Sequence, residues 1–141
     1  MSDEVIRQIL TSTRRIALVG ASARPERASH EVMRFLLAQG YEVTPVNPGL
    51  AGSEILGRKV VATLDEAAPL EMVELFRKAA DVAQPVEDAI RLGAKTIWMQ
   101  LGIVNEAVAA KARAAGLAVV MNRCPAIDIP RLGLPRRAAA G

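Results

Sequence analysis

The sequence has one cysteine, one histidine and few aromatic residues among its 141 residues. The single cysteine, Cys124, excludes an intramolecular disulfide and is typical of a reducing compartment. One histidine and one cysteine cannot complete a structural zinc site, and no carboxylate cluster replaces them, so we expect no metal. Aromatic residues amount to 3%, which leaves few platforms for base stacking. The composition therefore disfavours a nucleic acid as partner.

The sequence also lacks a long apolar run. No stretch reaches the roughly 18 uninterrupted apolar residues of a membrane span, and MSDEVIRQIL carries early acids in place of the basic start of a signal peptide. We expect a soluble, cytoplasmic, single-domain protein without membrane contact. The net charge of +3 and the pI near 9.5 are basic, but both signs are mixed along the chain. This balance favours small anionic ligands.

Continuous apolar runs alternate with segments of helical periodicity. The runs predict strands at residues 15–19, 43–46, 72–76, 96–99 and 117–121, with a short one at 59–62. Runs of this kind are typical of parallel strands that are covered on both faces. The sequence therefore predicts an α/β fold, a Rossmann-like doubly wound parallel sheet of about five strands with helices on both faces.

Polar residues that cap helices, and glycines that end them, mark the helix boundaries. Ser2, Ser29, Thr63 and Asn105 are predicted N-caps, and Gly40 is a predicted left-handed stop. We place a single domain at residues 1–126. Residues 127–141 contain prolines, glycines and basic residues, and they predict a partly disordered C-terminal tail.

Ligands of open parallel sheets bind beyond the carboxyl ends of the strands. After the first strand the chain reads VGASARPERASHEVM. Gly20 permits a sharp turn, Ser22 offers a hydroxyl, and Arg24 and Arg27 add positive charge before a helix begins near Ser29. These features suit a phosphate group. The spacing is longer than in a dinucleotide fingerprint, and an ordinary loop with solvated arginines is the alternative.

The second predicted strand ends in TPVNPG, without an acid. NAD-binding domains usually place Asp or Glu there to bind the adenosine ribose. Asn47 in that position suits a ribose that carries its own phosphate, as in NADP and coenzyme A. Asn-Pro-Gly is also simply a good turn sequence.

A series of short segments, taken in order along the chain, resembles the family of small stand-alone CoA-binding domains. The segments are GAS, RPERASHEVM, PVNP, ILGRKV, ELFRK, WMQLGIVNE and VVMNRC. That family is similar to the N-terminal domain of the succinyl-CoA synthetase alpha subunit. The resemblance runs from about residue 15 to about residue 124 and implies that coenzyme A or an acyl-CoA lies across the strand ends.

The resemblance also implies the contacts. The turn would face the ADP phosphates, Asn47 and Pro48 would flank the adenosine, Phe76 and Arg77 would border the nucleotide or pantetheine, and Met99 and Gln100 would continue that wall. The implied binding residues are Gly20, Ser22, Ala23, Arg24, Pro25, Arg27, Ser29, Asn47, Pro48, Phe76, Arg77, Met99 and Gln100.

No catalytic constellation is evident in the sequence. His30 is expected to be solvated or to cap its helix, Ser22 has no base placed by sequence, and neither a P-loop nor a nucleophile elbow occurs. We therefore expect a binding protein that is not an enzyme. Cys124 is expected to be a buried apolar residue. The alternative is a mixed disulfide with coenzyme A, with Arg123 beside the thiol.

The residues alone do not exclude two other functions. One is an NAD(P)-binding redox or nucleotide-sensing domain. The other is a ligand-free interaction domain whose basic tail, with Arg131, Arg136 and Arg137, contacts RNA or a protein. The residues leave a protein partner or a homo-oligomer open for each of these functions, including coenzyme A binding.

Overall fold

The computed structural model describes residues 1–137. In chain order the elements are α1 (Asp3–Ser12), β1 (Arg15–Val19), α2 (Ala28–Gln39), β2 (Glu42–Val46), β3 (Glu54–Ile55), β4 (Arg58–Lys59), α3 (Leu64–Ala67), β5 (Met72–Leu75), α4 (Ala83–Arg91), β6 (Thr96–Met99), α5 (Glu106–Ala114), β7 (Ala118–Val120) and α6 (Pro125–Arg131). Short 3-10 turns lie at Pro48–Leu50 and Ala79–Asp81.

Five strands form one parallel sheet in the order β2-β1-β5-β6-β7. This confirms the predicted Rossmann-like α/β fold. The chain leaves β1 toward β2 and later returns to β5 on the other side of β1, so the switch point lies between β1 and β5. The segment predicted as a short strand at 59–62 differs: β3 and β4 form a separate antiparallel hairpin, joined to the main sheet by the bridge from Val46 to Val61.

Alternate residues of each strand enter two apolar layers. In β6, Trp98 packs with residues of α1, α2 and α6, whereas Ile97 and Met99 pack with residues of α3, α4 and α5. The two layers therefore cover both faces of the sheet, which is why the strands read as unbroken apolar runs.

Most predicted helix ends agree with the structure. The side chains of Ser2, Thr63 and Asn105 accept hydrogen bonds from amides of their own helices, and Gly40 ends α2 with φ of 103°. The prediction for Ser29 is wrong: α2 begins at Ala28, and Ser29 is buried inside its first turn.

The predicted boundary at residue 126 falls inside helix α6. Asp128 is 3% exposed and binds both Arg123 and Arg131, while Ile129 is buried in the apolar layer. Beyond the helix, the amide of Arg137 donates to the Gln39 carbonyl at 2.7 Å. Prolines and basic residues suggested a loose tail, but the long-range partners of residues 127–137 order them. Residues 138–141 of that tail lie outside the described residues.

No helix within residues 1–137 combines the length and the apolar character needed to cross a bilayer.

Candidate functional site

The site is built at the switch point, where the end of β1 meets the end of β5. Gly20 has φ of 87°, and a Cβ added to it would collide with the carbonyl oxygen of Phe76. Glycine is therefore required both by the backbone conformation and by the close approach of the two strand ends. This approach brings the turn after β1 against Phe76.

Asn47 holds the end of β2 to that turn. Its Nδ2 donates to the Ala21 carbonyl at 2.8 Å, and its Oδ1 accepts from the Gly49 amide at 2.9 Å. The side chain thus ties the turn after β1 to the turn after β2 at the rim. Its first role in the structure is to shape the site, and a direct contact with a ligand stays a prediction.

The first cavity, called here the phosphate pocket, has a volume of about 380 Å³. Its lining residues are Gly20, Ala21, Ser22, Arg24, Arg27, Ala28, Ser29, Asn47, Leu50 and Phe76. No acidic residue is among them. The pocket therefore presents two guanidinium groups and backbone amides to whatever enters it.

The N-terminus of α2 opens into the phosphate pocket. The N-cap residue Arg27 makes no side-chain hydrogen bond to the helix, so the first amides of this 12-residue helix have no capping side chain. These amides and the helix dipole attract an anion. Ser22 Oγ accepts from the Arg24 amide at 3.1 Å, which leaves the hydroxyl hydrogen free to donate.

The two arginines of the pocket differ in their surroundings. Arg24 pairs with Glu26 at 3.2 Å, and both side chains are exposed. Arg27 is exposed and has no ion-pair partner in residues 1–137. Arg27 is therefore the cation that is available to a ligand without breaking an existing pair.

The second cavity, called here the nucleoside pocket, lies across Gly20 from the first and has a volume of about 540 Å³. Both cavities are lined by Gly20, Asn47 and Phe76, so they form two halves of one cleft. The nucleoside pocket also has Pro48, Arg77, Asp81, Gln84 and Asp88 among its lining residues. Its mixed charge and its amide suit a neutral group with donors and acceptors better than a phosphate cluster.

The structure brings most of the predicted site residues to this cleft. The phosphate pocket is lined by Gly20, Ser22, Arg24, Arg27, Ser29 and Asn47. The nucleoside pocket is lined by Pro48, Phe76 and Arg77. Four predicted residues line neither cavity. Ala23 and Pro25 are exposed in the turn, whereas Met99 and Gln100 are buried.

The prediction that Met99 and Gln100 form the cavity wall does not hold for either cavity. Met99 points into the apolar layer under α4 and α5, and Gln100 is 6% exposed. Sequence analysis missed Asp81, Gln84 and Asp88 as cavity residues. Their only sequence signal is their position around the start of the helix that follows β5.

His30 and Arg123 also differ from the prediction. His30 is 6% exposed rather than solvated, and its Nδ1 lies 3.5 Å from an Arg34 guanidinium nitrogen. Arg123 binds the buried Asp128 through two hydrogen bonds. Its positive charge is therefore already engaged next to Cys124.

These features define a Rossmann-like α/β domain with a cleft at the switch point of its parallel sheet. Residues 14–130 match the CoA binding domain family, and the chain belongs to that family. One relative is the Uncharacterized protein YneT of Bacillus subtilis (strain 168). It is 38% identical over 120 residues, covering 84% of this chain and 87% of that protein.

Two solved structures show the same fold at high similarity. A hypothetical protein from Pyrococcus horikoshii OT3 is 46% identical with a TM-score of 0.88, over 94% of this chain and 92% of that one. The cell-free ID.343 protein from Thermus thermophilus is 34% identical with a TM-score of 0.88, over 94% of this chain and 99% of that one.

Proposed function

We propose that this protein binds coenzyme A or an acyl-CoA across the cleft at the strand ends and has no catalytic turnover of its own. The observation that carries the proposal is the uncapped N-terminus of α2, which opens with the unpaired Arg27 into a pocket free of acidic residues. Membership in the CoA binding domain family supports the same ligand class.

The two halves of the cleft suit the two chemically different parts of this ligand. The pyrophosphate would lie in the phosphate pocket, held by the first amides of α2, by the Ser22 hydroxyl and by Arg27. The adenosine would lie in the nucleoside pocket, where Gln84 and Asp81 offer acceptors to the adenine amino group. Arg77 is the cation of that half, and it would border the nucleotide.

A thermal-shift panel tests this function, with coenzyme A, acetyl-CoA, NAD, NADP and ATP measured in parallel under reducing conditions. A ligand at 100 times its dissociation constant stabilises the folded state by about 2.7 kcal/mol. We expect a clear rise in melting temperature with coenzyme A and acetyl-CoA only. A response confined to NADP would replace the proposal with a redox or nucleotide-sensing function.

The variant Arg27→Gln locates the ligand. Arg27 faces the phosphate pocket, so its loss should weaken coenzyme A binding about tenfold, as expected for one charge-assisted hydrogen bond. Arg113→Gln is the matched control. Arg113 is exposed in the last turn of α5 and lines neither cavity, so its loss should leave the affinity unchanged. Equal affinities for both variants would contradict the placement.

A further inference from the structure

One acidic residue lies next to the phosphate pocket without lining it. Glu26 is the single acid between Gly20 and Ser29, and its carboxylate pairs with the Arg24 guanidinium at 3.2 Å. The two side chains are 66% and 67% exposed, so the pair lies at the mouth of the pocket. Arg24 lines the pocket, whereas Glu26 lines neither cavity. The pocket therefore has a cation whose counterion belongs to the protein itself.

Two hydrogen bonds fix the backbone around this pair. The Arg27 amide donates to the Arg24 carbonyl at 3.0 Å, which closes a β-turn with Pro25 and Glu26 at its central positions. Proline is favoured at the first of these positions because its φ is preset. The Arg24 amide donates to the Ser22 hydroxyl oxygen at 3.1 Å. The turn therefore holds the two arginines at its ends, with their Cα atoms within about 7 Å of each other.

The two arginines are not equivalent as partners of a phosphate group. Arg27 has no ion-pair partner in residues 1–137, so a first phosphate at the start of α2 pairs with it without breaking a contact. Arg24 reaches a phosphate only by leaving Glu26, which then loses its counterion. A phosphate that already has Arg27 and the helix amides gains little from this exchange. A second phosphate brings negative charge of its own, which replaces the carboxylate at Arg24.

Resting on the proposed function, in which the pocket holds the diphosphate of coenzyme A, we propose that Glu26 is a specificity-determining residue. It reserves Arg24 for the second phosphate, so that the pocket prefers a diphosphate to a monophosphate. Binding is an exchange of ionic partners without covalent chemistry. The Arg24 guanidinium moves from the carboxylate to the ligand, and the carboxylate becomes solvated.

Removal of the carboxylate should weaken this preference. In Glu26→Gln the Arg24 guanidinium has no counterion, and both arginines can contact a single phosphate because they stand at the ends of one turn. A monophosphate then gains a charge-assisted hydrogen bond. A diphosphate gains only the smaller free energy of the exposed ion pair that it no longer has to break. The monophosphate should therefore gain more affinity than the diphosphate.

The test uses the full-length protein with ADP and AMP as probes, which differ by one phosphate group. NMR titrations of isotope-labelled protein measure both dissociation constants up to the millimolar range. The ratio of the AMP constant to the ADP constant should fall at least about threefold in Glu26→Gln. An unchanged ratio would overturn the proposal, and so would the lack of saturable ADP binding to the wild type.

The variant Glu31→Gln is the matched control. Glu31 is exposed in the first turn of α2, lines neither cavity and makes no ion pair with the described part of the chain. Its substitution removes the same charge from the same region, so it should change both affinities alike through the electrostatic field. An equal fall of the ratio in Glu31→Gln would show that net charge sets the preference and would overturn the proposal.

The variant Arg24→Gln tests whether Glu26 acts through Arg24. On this background Glu26→Gln should leave the ratio unchanged, because no guanidinium remains for the carboxylate to hold. Both positions are exposed in the turn, so the fold should be retained, and far-UV circular dichroism checks this. A further fall of the ratio in the double variant would show that Glu26 acts on another group, contrary to the proposal.

The thermal-shift panel separates this inference from the proposed function. If coenzyme A stabilises the protein but the ratio does not respond to Glu26→Gln, only the role of Glu26 is wrong. If the ratio responds as expected but coenzyme A does not stabilise the protein, the phosphate pocket is retained and the proposed function is wrong.

Discussion

The buried Glu74 carboxyl makes the stability of this protein depend on pH in a defined direction. In the unfolded chain the carboxyl has its ordinary pKa of 4.5, whereas burial raises the pKa in the folded protein. Between these two values the folded protein holds a proton that the unfolded chain has lost. The stabilising contribution is therefore complete below pH 4.5 and is lost as the pH rises through the folded pKa.

The magnitude follows from proton linkage. Stability falls by about 1.4 kcal/mol for each pH unit in which the two states differ by one proton. Because burial raises the pKa of Glu74 well above 4.5, wild-type protein should lose stability relative to Glu74→Gln at this rate from pH 4.5 up to the folded pKa. The glutamine has no proton to lose, and other titrating groups cancel in the difference between the two proteins.

Urea unfolding followed by far-UV circular dichroism, at several pH values in that range, measures the effect. The wild-type curve should fall away from the Glu74→Gln curve as the pH rises. The curve of the control variant Glu54→Gln, at an exposed position in β3, should stay parallel to the wild type. A constant difference between wild type and Glu74→Gln across the range would refute the argument, because it would mean that Glu74 titrates alike in both states.

One truncation and two substitutions test further parts of the fold and the site. Truncation after Ala126 should abolish cooperative unfolding or lower the midpoint strongly in a denaturant titration, since the α6 contacts are lost. A normal midpoint would show that residues 127–141 are not needed for folding. Asn47→Ala should cost about 1 to 3 kcal/mol in the same titration, because the Ala21 carbonyl loses its 2.8 Å donor. An unchanged midpoint would mean that water replaces the amide at no cost. Gly20→Ala should destabilise the protein through both its positive φ and the clash with Phe76. It should also reduce coenzyme A binding measured by calorimetry, and full affinity would show that the turn does not shape the pocket.

Local signals predicted the elements well where the interaction that fixes them is local. The caps at Ser2, Thr63 and Asn105 bond within their own helices, and the left-handed stop at Gly40 depends on one residue's backbone freedom. Ser29 failed as a cap, because its burial in the packed first turn of α2 depends on the sheet beneath it rather than on the neighbouring sequence.

The C-terminal segment shows the limit of composition. Residues 127–137 read as a loose tail because proline, glycine and arginine dominate them. Their order depends on distant partners: Arg131 binds Asp3 of α1, and the Arg137 guanidinium lies 5.0 Å from the centre of the Tyr41 ring. No local pattern contains such pairs.

Part of the candidate site was predictable from local sequence, and part depended on how distant elements pack together. The turn from Gly20 to Ser29 was predicted as a phosphate site because a glycine, a hydroxyl, two arginines and a helix start follow one another in the chain. The nucleoside pocket was incomplete, since Asp81, Gln84 and Asp88 reach it only after α4 packs against the sheet. Met99 was placed in the cavity wall, but strand alternation turns it toward the opposite layer.

By itself the sequence determined the order of strands and helices and the chemistry of the turn after β1, because unbroken apolar runs and capping residues act over a few neighbouring positions. Only the tertiary structure decided which residues face the cleft. It also placed Gln100 diagonally opposite the buried Glu74 on one face of the sheet, because the pairing of β5 with β6 brings together residues that lie far apart in sequence.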